Sequence, residues 1–331
     1  MHGCNRIGML SGALTLAAAA AAAQTGMPGG PVNDRLGDPD YGVCRGTDPR
    51  CFHDWPRART GTPRVLIYSR TAGPRHAELG GPLPPGLNPP LSEENVAQRE
   101  LVRLAREQGW QADYTEDTAE MTNLSGYNAI IFLSTSRDNL DDGAKTALRQ
   151  YMRAGGGFVA IHNAFGTLYN WPYYEGLLGN ANFYDHGPVR DAEVVTIDRK
   201  DASTARLPLR WAFRDEWYNL VPFPTRVRFL LTVDEKSYGP AAEREGPPPG
   251  AGAPPGFRPQ RLPSVVGRHP GHGSFHPVAW CQYYDGGKVW ATTLGHDARA
   301  FRKEGMPGAA EFQTMLVGGL RSVMGLEPFC R

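Results

Sequence analysis

Apolar positions along the chain fall into two rhythms. Short unbroken runs, Arg64-Val-Leu-Ile-Tyr-Ser69, Tyr127-Asn-Ala-Ile-Ile-Phe-Leu-Ser134 and Phe158-Val-Ala-Ile-His162, predict strands buried on both faces, and Ala112 to Thr115 predicts another. Between them apolar residues recur at helical spacing. One such stretch opens at Leu91-Ser-Glu-Glu, runs through Val96, Leu101, Leu104 and Ala105, and ends at Gly109; a second spans Asp141 to Arg153 and is stopped by Gly155-Gly-Gly157. Strands alternating with helices need crossover connections, which predicts an α/β fold: a doubly wound, mostly parallel sheet with helices on both faces. The later chain reads as more strand-like, with Glu193–Asp198, Arg226–Glu235 and a C-terminal hairpin of Val278–Tyr284 with Lys288–Leu294 around Asp285-Gly-Gly; a helix from Ala309 to Met324 follows.

Composition adds boundaries. Arg6, the apolar stretch Ile7 to Ala23 and its Ala-rich end predict a signal peptide over residues 1–23, and therefore an exported protein, periplasmic or secreted. No later run is long and apolar enough for a membrane span. Residues 24–62 read as an irregular arm, and residues 237–274 as a Pro/Gly-rich surface insertion centred on Gly246-Pro-Pro-Pro-Gly, within a single domain over residues 63–326. The balance of 35 Lys+Arg against 34 Asp+Glu argues against nucleic-acid binding through bulk charge. Cys44 and Cys51 enclose a short loop that an oxidising compartment would staple with a disulfide, while Cys281, inside a strand-like run, reads as a buried thiol.

Candidate chemistry sits at strand ends. Of nine histidines, His2 leaves with the signal, and His76, His162, His186, His276 and His296 fall at predicted strand ends or in flanking loops. Parallel sheets present ligand-binding groups there, and imidazole serves as acid, base or metal ligand near neutral pH. Arg214-Asp-Glu-Trp-Tyr-Asn219 sets carboxylates and an amide, which bond sugar hydroxyls, beside aromatic faces that cover a sugar ring; Trp171-Pro-Tyr-Tyr174 adds aromatics. There is no Gly-x-Ser-x-Gly elbow, no Gly-x-Gly-x-x-Gly, no phosphate loop and no His-Glu-x-x-His pair, so any metal site must be assembled from distant loops.

Six ordered segments carry a resemblance: Ser69-Arg-Thr-Ala-Gly-Pro-Arg-His76, Gly155-Gly-Gly-Phe-Val-Ala-Ile-His162, Trp171-Pro-Tyr-Tyr with Gly176-Leu-Leu-Gly179, Asp215-Glu-Trp-Tyr-Asn219, His276-Pro-Val-Ala-Trp-Cys281 and Gly295-His296. Together they resemble the ThuA-like, trehalose-utilisation family. The resemblance implies a flavodoxin-like fold related to class I glutamine amidotransferases and a link to carbohydrate utilisation. Where those amidotransferases place a nucleophilic Cys this chain has His162, and the partner His is matched by His296; without a thiolate at that turn, glutaminase activity is rejected. The chain also departs from the family's acidic run Asp-Thr-Glu-Tyr-Asp-Trp, reading Gly166-Thr-Leu-Tyr-Asn-Trp171, with Gly166, Leu168 and Asn170 at the acidic positions.

The expected function is that of an enzyme acting on a sugar or keto-sugar, in a cleft lined by His76, His162, Glu216, His276 and His296, with His162 and Glu216 as acid and base. Thr71, Arg75, Trp171, Asp215, Tyr218 and Asn219 are expected to hold substrate. Two rival readings stand beside it: a non-catalytic sugar-binding module, and a hydrolase whose divalent metal is held by His76, His162 and His186 or His296.

Overall fold

The computed structural model describes residues 42–55, 61–240, 269–302 and 305–331. The expected signal peptide, most of the arm and most of the insertion lie outside the described residues. In chain order the strands are β1 (Arg45–Gly46), β2 (Arg64–Tyr68), β3 (Gln111–Thr115), β4 (Ala129–Leu133), β5 (Gly157–Ile161), β6 (Phe183–His186), β7 (Arg190–Thr196), β8 (Arg210–Asp215), β9 (Tyr218–Leu220), β10 (Arg228–Asp234), β11 (His276–Tyr284) and β12 (Gly287–Thr292). The helices are α1 (Val96–Glu107), α2 (Asp142–Arg153), α3 (Pro172–Leu177), α4 (Ala298–Phe301) and α5 (Ala309–Val323).

One sheet runs β3-β2-β4-β5-β12-β11-β10-β7-β8, with β1 paired to β11. From β3 to β12 every pairing is parallel, in the strand order of a flavodoxin-like sheet. From β12 outward the pairings are antiparallel, so the later strands extend the same sheet beyond its parallel half.

Alternation along β2 shows why the runs are apolar throughout. Val65 and Ile67 face a core layer shared with Leu101 and Leu104 of α1 and Leu316 and Leu320 of α5; Leu66 and Tyr68 face the opposite layer with Leu148 and Met152 of α2 and Tyr174 of α3. Asp141 caps α2 by accepting the Ala144 N–H at 2.8 Å, and Gly155 with φ +84° ends the turn beyond it. Observed strand ends differ from expectation by at most three residues, with β7 and β11 starting earlier than expected. The strands β1, β6, β8 and β9 were not expected, although β8 reads as a plain alternation with Trp211 and Phe213 buried.

Cys44 and Cys51 are joined, with S–S 2.02 Å. The expectation of a free buried thiol at Cys281 is corrected: it is bonded to Cys330, whose segment beyond α5 is docked by its N–H donating to Asp201 Oδ2 at 2.9 Å. No described helix is long and apolar enough to cross a membrane.

Candidate functional site

Three loops at the carboxyl ends of parallel strands deliver three histidines. His76 follows β2 and is held by its neighbour Arg75, whose guanidinium donates to the Leu79, Gly80 and Gly81 carbonyls, to Thr71 Oγ1 and to Glu116. His162 follows β5 directly, at φ +53°, and Ser134 after β4 is at φ +43°. Such left-handed residues cost about 1–3 kcal/mol and persist where the surroundings over-determine them. His296 follows β12 through Gly295, which adopts φ +125° and packs so closely that a Cβ would lie 3.3 Å from Ile161 and Phe312.

The fourth group, Glu216, comes from the turn between β8 and β9, where Asp215 sets the geometry. The buried Asp215 carboxylate accepts the N–H groups of Gly295 (2.7 Å), Glu216 (2.8 Å) and His296 (3.2 Å), so one side chain ties Glu216 to the His296 loop. Burial pushes the Asp215 carboxyl up to about 7.

Around the Glu216 carboxylate the rings converge. Oε2 lies 3.2 Å from His296 Nδ1 and 3.8 Å from both His76 Nε2 and His162 Nε2; Oε1 lies 3.6 Å from His186 Nε2. Ring centroids of His76, His162 and His296 are 4.6 to 5.5 Å apart. His162 is fully buried, and burial, with the neighbouring imidazoles, holds its pKa well below the ordinary value. Its Nδ1–H donates to the Thr293 carbonyl at 2.9 Å, which fixes the tautomer and leaves Nε2 as an acceptor, 3.0 Å from the Tyr218 hydroxyl. Burial disfavours charge on both Glu216 and His296. The close pairing of the two, together with His76 and His186 beside Glu216 and Asp215 and Glu78 beside His296, outweighs it, raising His296 to about 9 and holding Glu216 well below the usual carboxylate range.

The four groups His76, His162, Glu216 and His296 offer ligand atoms that all lie within 4.8 Å of one another. Zinc bonds to nitrogen and oxygen of about 2.0–2.2 Å place two tetrahedral ligands roughly 3.4 Å apart, close to the separations around Oε2. His162 further shows the backbone-anchored Nδ1–H typical of ligating histidines. Nδ1 of His296, which faces Glu216 Oε2, is buried without a hydrogen-bond partner among the described residues. The donor set therefore fits a divalent metal of the zinc or manganese type.

The remaining expected site residues lie outside this set of four. His186 borders the cluster through Glu216, and Tyr218 backs it, stacked on the His162 ring at 4.6 Å. His276 does not line the cluster: its ring bridges Glu235 Oε1 (2.7 Å) and the Tyr218 carbonyl (2.9 Å). Asn219 donates to Asp185 at 2.8 Å, and Thr71 and Arg75 brace the His76 loop. Trp171 stacks on Tyr173 and Tyr174 under Lys145 and Arg149 of α2. Sequence reasoning missed Glu78, two residues beyond His76, fully buried with neither oxygen hydrogen-bonded among the described residues; burial raises its pKa. It also missed His269 and His272, which join His276 in a second cluster with ring spacings of 4.7 and 4.9 Å.

The arrangement lacks a thiolate nucleophile, since His162 stands at the turn after β5 and Cys281 is disulfide-bonded. It offers imidazoles and a carboxylate for metal ligation or proton transfer. No match is found among curated proteins. Among solved structures, a ThuA-like protein from Bacteroides uniformis is similar at 22% identity and TM-score 0.54, covering 81% of this chain and 95% of that one. A ThuA-like protein from Parabacteroides merdae is similar at 15% identity and TM-score 0.55, covering 81% and 91%. Both show the same fold. The ThuA family model, described as trehalose utilisation, matches residues 64–321, a span running from β2 into α5 that includes every residue of the histidine cluster, and the chain belongs to that family.

Proposed function

We propose that this protein is an enzyme of carbohydrate utilisation whose reaction centre is a divalent-metal site formed by His76, His162, Glu216 and His296. The observation that carries this reading is the convergence of four ligand atoms within 4.8 Å from three separate strand-end loops and the β8–β9 turn. The family's description as trehalose utilisation supports a sugar or keto-sugar as substrate. A bound divalent ion would polarise a sugar oxygen and stabilise the charge that develops on it. The protein's own groups would divide the remaining work. Asp215 fixes Glu216 and His296, the Thr293 carbonyl fixes the His162 tautomer, and the buried Tyr218 hydroxyl, with its pKa raised well above 10 by burial, stays protonated as a hydrogen-bond donor. His186, 3.6 Å from Glu216 and outside the ligand set, is the imidazole left to carry a proton.

The 3.2 Å contact of Glu216 with His296 supports a second reading, in which no metal binds and His162, Glu216 and His296 perform acid–base chemistry directly. Elemental analysis of full-length protein purified without a metal-affinity tag, followed by turnover of trehalose and keto-sugars after chelation and metal return, separates the two. Stoichiometric zinc or manganese with turnover that follows the metal supports the first reading; metal-free protein with unchanged turnover supports the second. Saturable sugar binding without product would instead indicate a binding module. The two disulfides support a working place in an oxidising compartment, in keeping with export.

A further inference from the structure

Beside the histidine cluster lies a cavity of about 430 Å³ lined by Arg137, Asp138, Tyr169, Asn170, Phe183 and Tyr184. Its walls come from the loops after β4 and β5 and from β6, on the same edge of the sheet as His162. It shares a wall with the cluster: the Phe183 ring packs on Tyr218 at 4.5 Å, and Tyr218 stacks on His162 at 4.6 Å. Phe183 also packs on His186 at 5.9 Å. We infer that this cavity is a subsite for the second ring of a neutral glycoside whose first ring reacts at the histidine cluster.

The lining has the chemistry of polyol recognition. The Arg137 guanidinium lies over the Tyr169 ring at 5.6 Å, and no hydrogen bond or ion pair among the described residues occupies its donors. The side chains of Asp138 and Asn170 are exposed and likewise make no hydrogen bond among the described residues. A guanidinium, a carboxylate and an amide supply donors and acceptors for adjacent hydroxyls, while Tyr169, Phe183 and the 45% exposed Tyr184 offer aromatic surface for the C–H face of a ring. One cation set against one anion gives the cavity no net charge, which favours a neutral ring over a uronate. Its size is within the range of small-molecule clefts. The backbone is also fixed: the Arg137 N–H donates to the Gly166 carbonyl at 2.9 Å, the Leu168 N–H to the Arg137 carbonyl at 3.1 Å, and the Tyr169 hydroxyl to the Phe183 carbonyl at 3.2 Å, so all three walls are joined.

The inference rests on the carbohydrate reading of the cluster, and the test keeps the two apart. Calorimetric titration of the full-length protein with trehalose, maltose and cellobiose, and with methyl α- and β-glucopyranoside as single-ring probes, is compared with the Arg137→Ala/Tyr184→Ala variant, whose altered side chains are exposed. The expected result is disaccharide affinity about tenfold weaker in the variant, with single-ring affinity and cobalt(II) binding unchanged. Equal affinities of both proteins for every disaccharide, or equal losses for one-ring and two-ring probes, would overturn the subsite while leaving the cluster reading in place. Tighter wild-type binding of a disaccharide whose second ring is glucuronic acid than of its neutral counterpart would overturn the neutral-ring assignment. Wild-type protein that binds none of these sugars yet binds cobalt would remove the carbohydrate reading and the subsite with it.

Discussion

Two histidine clusters both contact β9 and have nearly the same composition. One holds His76, His162 and His296 with Glu216; the other holds His269, His272 and His276 with Glu235 and Asp185. In the second, ring nitrogens are consumed by the scaffold. His272 Nε2 accepts the Leu220 N–H at 3.0 Å, His269 Nδ1 accepts the Gly271 N–H at 3.1 Å, and His276 bridges Glu235 and the Tyr218 carbonyl. In the first, the main chain takes Nδ1 of His162, and although its Nε2 also meets the Tyr218 hydroxyl at 3.0 Å, that atom, Nε2 of His76 and Nδ1 of His296 all turn toward one carboxylate oxygen. Whether imidazole nitrogens are directed into the scaffold or at a common point, rather than the number of histidines, is what distinguishes the second cluster from the proposed reaction centre.

The largest expected break in that contrast is His162→Ala. Loss of a direct ligand should weaken metal binding by more than about 100-fold, beyond the 10–100-fold typical of outer partners, and abolish turnover, with folding retained by circular dichroism. Next is Asp215→Asn, which leaves all four candidate ligands in place but weakens the acceptor that ties Glu216 to His296. Metal affinity should fall by roughly 10–100-fold, and turnover at saturating metal should recover in part. The mirror experiment is His276→Ala. Its buried ring satisfies a carbonyl and a carboxylate, so unfolding free energy should drop by about 2 kcal/mol while metal affinity stays unchanged. A matching loss of metal affinity would erase the distinction between the clusters.

The smallest effect is a pH slope. Burial, with its imidazole neighbours His276 and His269, lowers the folded-state pKa of His272 to about 4, whereas the unfolded chain titrates near 6.5. The unfolded state therefore takes up the proton first. Stability from this group is complete above pH 6.5 and declines as pH falls toward 4, by an amount that partial solvent exposure keeps modest. Urea denaturation of metal-free protein at pH 7 and pH 5 should show the decline, and His272→Phe should flatten it.

Much of the parallel half could be read from the sequence because each strand buries both faces and therefore leaves an unbroken apolar run. The same reasoning placed His76, His162 and His296 at strand ends. His276 meets the same rule, but Glu235, just beyond β10, and the Tyr218 carbonyl are tertiary partners without a sequence signature. Glu78 gave a faint signal, a carboxylate two residues from a strand-end histidine, and its complete burial is visible only in the fold. The Cys281–Cys330 bridge spans 49 residues and joins a central strand to the chain end, so spacing alone could not pair them. The alternation of β8 spans only six residues, Arg210–Asp215, and its last two belong to the polar segment Arg214–Asn219, which leaves a short period to read.

The most direct test is cobalt(II) titration of the full-length protein followed by visible absorption, with His162→Ala, Glu216→Gln and His276→Ala run alongside. One equivalent bound with ligand-field bands in the wild type and His276→Ala, and lost in His162→Ala and Glu216→Gln, is the predicted result. Absence of stoichiometric binding, or binding that survives in His162→Ala, would contradict a metal centre at the strand-end histidines.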